Sequence, residues 1–256
     1  MQPGCATIFR DGQSKPNCNK SMNTHKLPNN TKFWHPGQKI FIQTPLKTYI
    51  FWGILHTCIL ILLIWKDETL YKHFHQVWAW AHTNKIPVLY ELTKTRHWEF
   101  FKQFGSAWTG ILFAFFICIY DKQKKDSIPV LLISSALTGF GYFFIKHIVG
   151  KIRPVVTDGV PTYHNFPDAW WVSNNLAFPS GHTAFAFTIA TYLSVLYPPL
   201  WKLFYPLAAL CALSRVISHS HYFSDIYAGA MLGVGVTLLS FYFYSRRGAQ
   251  KEAALP

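Results

Sequence analysis

The sequence predicts an all-α membrane protein, an integral bundle of six transmembrane helices with interfacial helices between the first and the second. Three observations carry this. Half of the 256 residues are apolar and 18% are aromatic. Only 14% are charged, against about 25% in a soluble globular domain. The apolar residues gather into six runs, 48–65, 104–120, 128–149, 183–200, 203–217 and 226–244, each near the length that crosses a bilayer.

Residues 1–47 are polar, basic and rich in Asn, Pro and Lys. Their basic stretch is not followed by a short apolar run and a small-residue cleavage site, so they do not read as a signal peptide. The composition is that of a disordered cytoplasmic tail, with Met22 as a candidate internal start. The first apolar run opens a single membrane domain, 48–245. Segment 66–103 interleaves Trp78, Trp80, Tyr90, Trp98, Phe100 and Phe101 with charges, the pattern of helices lying at the membrane surface as an aromatic belt. A portal wall for a lipid tail is the functional alternative. His73, His75, His82 and His97 share no helix face, so no metal site is expected there.

The second run carries Gly105, Ala107 and Gly110, and the third Ser134, Ser135, Ala136, Gly139 and Gly141. Small residues of this kind let helices approach closely in lipid. Pro198-Pro199-Leu200-Trp201-Lys202 is a tight turn between the fourth and fifth runs, and residues 246–256 form a second cytoplasmic tail. The five cysteines have neither metal-ligand spacing nor a disulfide framework, and Cys58, Cys118 and Cys211 lie inside apolar runs as small hydrophobes.

The net charge is +13, but the charges lie between apolar runs rather than on one basic face, which argues against nucleic-acid binding. Lys122, Lys124, Lys125, Lys202, Arg246, Arg247 and Lys251 fall with the N-terminal tail on one side, which the positive-inside rule makes cytoplasmic. Lys66, Lys72, Lys85, Lys94, Arg96 and Lys102 on the other side weaken that bias.

Three short blocks fall on the non-cytoplasmic side: Lys146 with Arg153-Pro154, Pro179-Ser180-Gly181-His182, and Ser214-Arg215 with His221 and Asp225. A transferring phosphoryl group needs cations placed around its oxygens before reaction. Arg153 and Arg215 offer planar forks and Lys146 a point charge. Three cations converging on one face suit a polyanion better than helix-end anchoring does. Ser180 is a candidate N-cap, and Gly181 permits close backbone approach where free N–H groups hold anions. His182 in the first turn can give a proton to a leaving oxygen. His221 and Asp225, four apart, share a face if helical, so the carboxylate can fix the Nδ1–H tautomer and leave Nε2 as nucleophile. His219 lacks that offset.

These blocks resemble the signature of the type-2 phosphatidic acid phosphatase superfamily, K-x6-RP, PSGH and SR-x5-H-x3-D, with every specified residue present between 146 and 225. The resemblance implies an integral membrane phosphatase needing neither metal nor cofactor. In it His221 forms a phosphohistidine, Asp225 orients it, and His182 protonates the leaving group and activates water. Lys146, Arg153, Ser180, Gly181 and Arg215 bind the phosphoryl oxygens. The partner it implies is a membrane lipid. Bacterial relatives act on undecaprenyl pyrophosphate, phosphatidylglycerol phosphate, phosphatidic acid or lipid A phosphates, which suggests a bacterial inner membrane with the site facing the periplasm or outside and both termini cytoplasmic. The loop 155–178, with Asp158, His164, Asp168, Trp170, Trp171, Asn174 and Asn175, is expected to line the entrance. A lipid-to-lipid phosphotransferase uses the same residues, and a transporter or scaffold with a decayed site is the non-enzymatic alternative.

One prediction follows from the tail. Deleting residues 1–21 leaves lipid phosphate release intact, and a large loss on assay would show that the segment belongs to the working protein.

Overall fold

The computed structural model describes residues 46–85 and 95–253. The expected tail over 1–47 lies outside them except for its last two positions. Seven helices are described: α1 (Leu46–Thr83), α2 (Thr95–Gln103), α3 (Ala107–Tyr120), α4 (Ile128–Val149), α5 (Gly181–Leu196), α6 (Trp201–Ile217) and α7 (Phe223–Ala253). The β-structure among the described residues is two isolated bridges, Lys151 with Tyr163 and Ile152 with Leu176. The protein is an all-α integral membrane protein.

Four helical stretches are long and apolar enough to cross a membrane: Ile50–Thr83, Lys125–Val149, Pro198–Ile217 and Phe223–Arg246. The other two predicted spans, α3 and α5, are shorter, with 14 and 16 residues. Helix α5 is the centre of the bundle and packs on α4, α6 and α7. Its buried face runs from Thr183 through Ile189 and Tyr192 to Leu196. The core around it joins Ile117, Val130, Leu131, Phe204, Ala208 and Cys211 from the neighbouring helices. Outside this core, large apolar side chains such as Phe51, Trp65, Leu112 and Phe140 stand exposed, as lipid-facing residues do.

The interfacial segment expected over 66–103 divides in two. Residues 66–83 do not lie apart but continue α1 without a break, making a helix of 38 residues, about 57 Å at 1.5 Å per residue. No Gly or Pro falls within 66–83, and Lys72 pairs with Glu68 one turn back at 2.6 Å. Within the charged triplet Lys66-Asp67-Glu68, Asp67 is fully buried against the rest of the protein. Among the described residues of the segment, α2 is a separate short helix, and it packs on α6. At the other end of the chain, α7 runs on past Arg246 through the expected tail to Ala253.

Close backbone approach occurs partly where expected, at Gly105, and partly elsewhere. A Cβ on Gly110 or Gly139 would meet its nearest neighbour at 3.8 or 3.4 Å, ordinary contact. On α7, by contrast, a Cβ on Gly229 would stand 2.6 Å from the Ser180 carbonyl oxygen, and one on Gly233 2.3 Å from that of Ala184. This glycine pair, four apart, lets the backbones of α5 and α7 touch. Gly105 is equally tight, 2.1 Å from the His182 carbonyl oxygen.

The loop 121–127 marks one end of the bundle. Tyr197 donates to Asp121 at 2.9 Å, Tyr192 shares a hydrogen bond with Ser127 at 2.8 Å, and Tyr244 donates to the Asp126 carbonyl. The N-terminus of α5 and the C-termini of α4 and α6 lie at the opposite end.

Gly233→Ala pushes a methyl into backbone that cannot move aside, and its cost is about 1–3 kcal/mol. Gly235→Ala, with nothing within 4 Å of its Cβ, is neutral or slightly stabilising. Thermal unfolding of the two variants in detergent checks the contrast.

Candidate active site

Helix α4 ends at Gly150, whose left-handed φ of 64° turns the chain while its N–H bonds to the Lys146 carbonyl at 3.0 Å. The next residues are extended and clamped on both sides. Ile152 N–H donates to Thr162 at 2.8 Å and Arg153 N–H to Asn175 at 2.8 Å, while Lys151 accepts from Ala177 N–H at 2.7 Å. This ladder fixes Arg153, whose Nε donates to the Leu176 carbonyl at 3.2 Å. Lys146 stays half-buried on the last turn of α4, close enough to Arg153 to feel its charge.

Ser180 is the residue before α5, as an N-cap should be, but its side chain makes no capping bond. Its oxygen accepts from Thr183 Oγ1 at 3.0 Å instead, and its N–H donates to the Asp225 carbonyl at 3.0 Å. A Cβ on Gly181 would press on the Tyr142 ring at 3.3 Å. His182, in the first turn, senses the charges of Arg215, His221, Lys102 and Arg153.

The third block is built differently from its spacing-based expectation. His221 is not on a helix. It lies in the loop after α6, where the N–H groups of Ser220 and His221 both bond to the Arg215 carbonyl, at 3.1 and 3.2 Å. Helix α7 begins at Phe223, so Asp225 sits at its third position and reaches back to the Tyr222 N–H at 2.7 Å, half of a capping box. That backward reach, not a shared helix face, brings Asp225 Oδ2 to 3.7 Å from His221 Nδ1. His221 is 4% exposed and Asp225 fully buried. Burial lowers the affinity of His221 for a proton below the ordinary histidine value of 6.5, Asp225 opposes this only partly, and Arg215 and Arg153 add to it.

His219 points elsewhere. Its ring shares a 2.5 Å hydrogen bond with the Tyr71 hydroxyl and stacks on His75 at 3.9 Å between centroids. Its carbonyl accepts from Val155 N–H at 3.1 Å, tying the Arg153-Pro154 segment to the loop that carries His221. Of the expected entrance residues, Trp170 stacks on His147 at 4.6 Å, whereas Trp171 is 86% exposed.

The structure therefore gathers Arg153, His182, Arg215, His221 and Asp225, with Lys146 beside Arg153 and Ser180 and Gly181 at the start of α5. Among the described residues no carboxylate lies within ion-pair distance of Lys146, Arg153 or Arg215, and Arg215 Nε is buried without a hydrogen-bond partner. Half-buried cations left unpaired are costly unless an anion meets them.

Sequence reasoning missed Lys151 and Asp67. Lys151 is 1% exposed and donates to Asp67 Oδ2 at 2.6 Å, Ser224 Oγ at 2.8 Å and Asp225 Oδ1 at 2.8 Å. Burial works against its charge, but Asp225 and Asp67 together outweigh it and hold the ammonium above the ordinary lysine range. An acidic residue at the end of an apolar run was the signal available for Asp67.

Residues 127–249 match the family model described as "PAP2 superfamily". Over 165 residues the chain is 28% identical to lipid phosphate phosphatase 2 of Arabidopsis thaliana, covering 49% of this chain and 55% of that one. It is 33% identical over 140 residues to diacylglycerol pyrophosphate phosphatase 1 of Saccharomyces cerevisiae, covering 43% and 47%. The chain thus spans about half the length of the curated relatives it matches. Among solved structures, LpxE of Aquifex aeolicus aligns with a TM-score of 0.49 at 23% identity, over 65% of this chain and 93% of that one. A PAP2-type phosphatidylglycerolphosphate phosphatase of Bacillus subtilis aligns with a TM-score of 0.46 at 19% identity, over 71% and 97%. The residues from Lys146 to Asp225 all fall within the matched segment, and the chain is a helical membrane protein carrying a PAP2 superfamily domain.

Proposed function

We propose that the chain is a metal-independent phosphatase that removes phosphate from a phospho- or pyrophospho-lipid through a phosphohistidine. The observation that carries the reading is the convergence of Lys146, Arg153 and Arg215, none with a carboxylate partner among the described residues, on a buried His221 backed by Asp225. Cations so arranged suit the three oxygens of a phosphoryl group. The names of the relatives, a lipid phosphate phosphatase and a diacylglycerol pyrophosphate phosphatase, support a lipid phosphate as substrate.

In this mechanism the Nε2 lone pair of His221 attacks phosphorus and a P–N bond forms. The P–O bond to the lipid breaks, and the leaving oxygen takes a proton from His182. Asp225 accepts the Nδ1–H and stabilises the positive charge that develops on the ring. Water then attacks phosphorus, His182 takes its proton, and the P–N bond breaks to release phosphate and free His221. The depressed proton affinity of His221 keeps its ring neutral and nucleophilic at neutral pH. The site lies at the end of the bundle away from the basic loop Lys122–Lys125, so the reading puts it at the non-cytoplasmic face.

Purified protein tested on dioctanoyl phosphatidic acid, diacylglycerol pyrophosphate and a polyprenyl pyrophosphate releases phosphate from at least one, and a chelator leaves the rate unchanged. His221→Ala lowers that rate by about a thousandfold or more. Undiminished release by this variant, or loss of activity to the chelator, overturns the mechanism. With allowance for titration of the substrate phosphate itself, the acid limb of kcat/KM falls below pH 6.5, since the neutral ring persists until pH drops through the lowered value of His221. A limb centred above 6.5 contradicts the assignment of His221.

A further inference from the structure

In the buried cluster behind His221, Asp225 belongs to the three blocks but Asp67, Lys151 and Ser224 were not singled out in them, and Asp67 lies on α1, outside residues 127–249. Every polar atom in it is engaged. Three acceptors surround the Lys151 ammonium, from Asp67, Ser224 and Asp225, at 2.6, 2.8 and 2.8 Å, and Nζ also stands 4.3 Å from the centre of the Tyr222 ring. An ammonium has three N–H bonds, so its donors are fully spent. Asp67 is equally saturated. Oδ1 accepts from the Ser224 N–H at 3.0 Å, and Oδ2 from Lys151 and the Ser224 hydroxyl. The carboxylate thereby caps the first turn of α7 from a different helix, where the helix dipole favours negative charge.

For Asp225 the consequence is a division between its two oxygens. Oδ1 is held by Lys151, and Oδ2, which also accepts the Tyr222 N–H, is the one turned toward His221. We propose that Asp67 and Lys151 are positioning residues for phosphoryl transfer: Lys151, fixed by Asp67, anchors one oxygen of Asp225 so that the other faces His221 Nδ1. The inference rests on the phosphatase reading above. It adds that the set behind the nucleophile is Asp67⁻, Lys151⁺ and Asp225⁻, which leaves one net negative charge beside a ring that becomes positive as the P–N bond forms. The phosphate-holding cations Lys146, Arg153 and Arg215 are not part of the cluster, so its loss acts on turnover and not on substrate binding.

The test uses full-length protein and dioctanoyl phosphatidic acid in mixed micelles. Asp67→Asn keeps the shape and removes the charge. It is expected to lower kcat roughly tenfold or more, the usual scale for a partner one step behind a reacting group, with KM within about twofold. The double variant Asp67→Asn/Lys151→Met removes both of these buried charges together, restores the single net negative charge and strands one buried carboxylate, Asp225, in place of two. It is expected to fold and to show the same kcat loss, because Asp225 has lost its anchor. Lys151→Met alone strands two buried carboxylates and unfolds at lower temperature than either. Wild-type kcat in Asp67→Asn or in the double variant, or a loss confined to KM, overturns the proposal. Failure of both to fold also overturns it, in favour of a purely structural cluster. If these variants match wild type while His221→Ala is inactive, the positioning role falls and the phosphatase reading stands. If His221→Ala is active, the phosphatase reading falls.

Discussion

The Lys151 ammonium, closed off from solvent between Asp67 and Asp225, is the interaction on which the site depends. Moving ions out of water costs several kcal/mol each, and only good geometry with every hydrogen bond made repays it. Here each N–H has an acceptor, one on α1 and two in the first turn of α7. The ammonium itself is carried by the clamped segment after α4. One side chain thus fastens three elements that are otherwise joined mainly by apolar contact, which in lipid gives little preference for one arrangement over another.

The protein separates its cations by what they are allowed to meet. Lys151 has two carboxylates, and Lys124 and Lys72 have one each. Lys146, Arg153 and Arg215, chemically the same kinds of group, have none among the described residues. The carboxylates that are near enough are already spent. Asp225 accepts from Lys151 and the Tyr222 N–H, with His221 Nδ1 3.7 Å away, and Asp67 accepts from Lys151 and Ser224. Saturating the acids behind His221 is what leaves Lys146, Arg153 and Arg215 without a carboxylate among the described residues.

The helices were legible because apolar runs of membrane length are strong signals, and α4 begins and ends where its run does. The phosphate-site candidates were legible because their spacings within each block are local. What escaped was long-range. Asp67 looked like the charged edge of a span because its partner, Lys151, is 84 residues away in sequence. Lys151 itself read as a spacer between Lys146 and Arg153. The four-residue offset of His221 and Asp225 does correspond to proximity, but not through a shared helix face: a helix start with its backward-reaching third residue brings the two side chains near each other. Gly229 and Gly233 carried a visible four-residue repeat, but composition gave no means of ranking it above the small residues of the second and third runs.

The long first helix has a consequence for what counts as the working unit. The family match begins at residue 127, yet a carboxylate sixty positions upstream is the second ionic partner of Lys151. A fragment cut at that border keeps every motif residue and leaves Lys151 with one carboxylate in place of two and the first turn of α7 uncapped. The boundary of shared ancestry and the boundary of a self-sufficient machine do not coincide in this chain, and transplanting the domain without its leading helix would transplant the vocabulary of the site without its syntax.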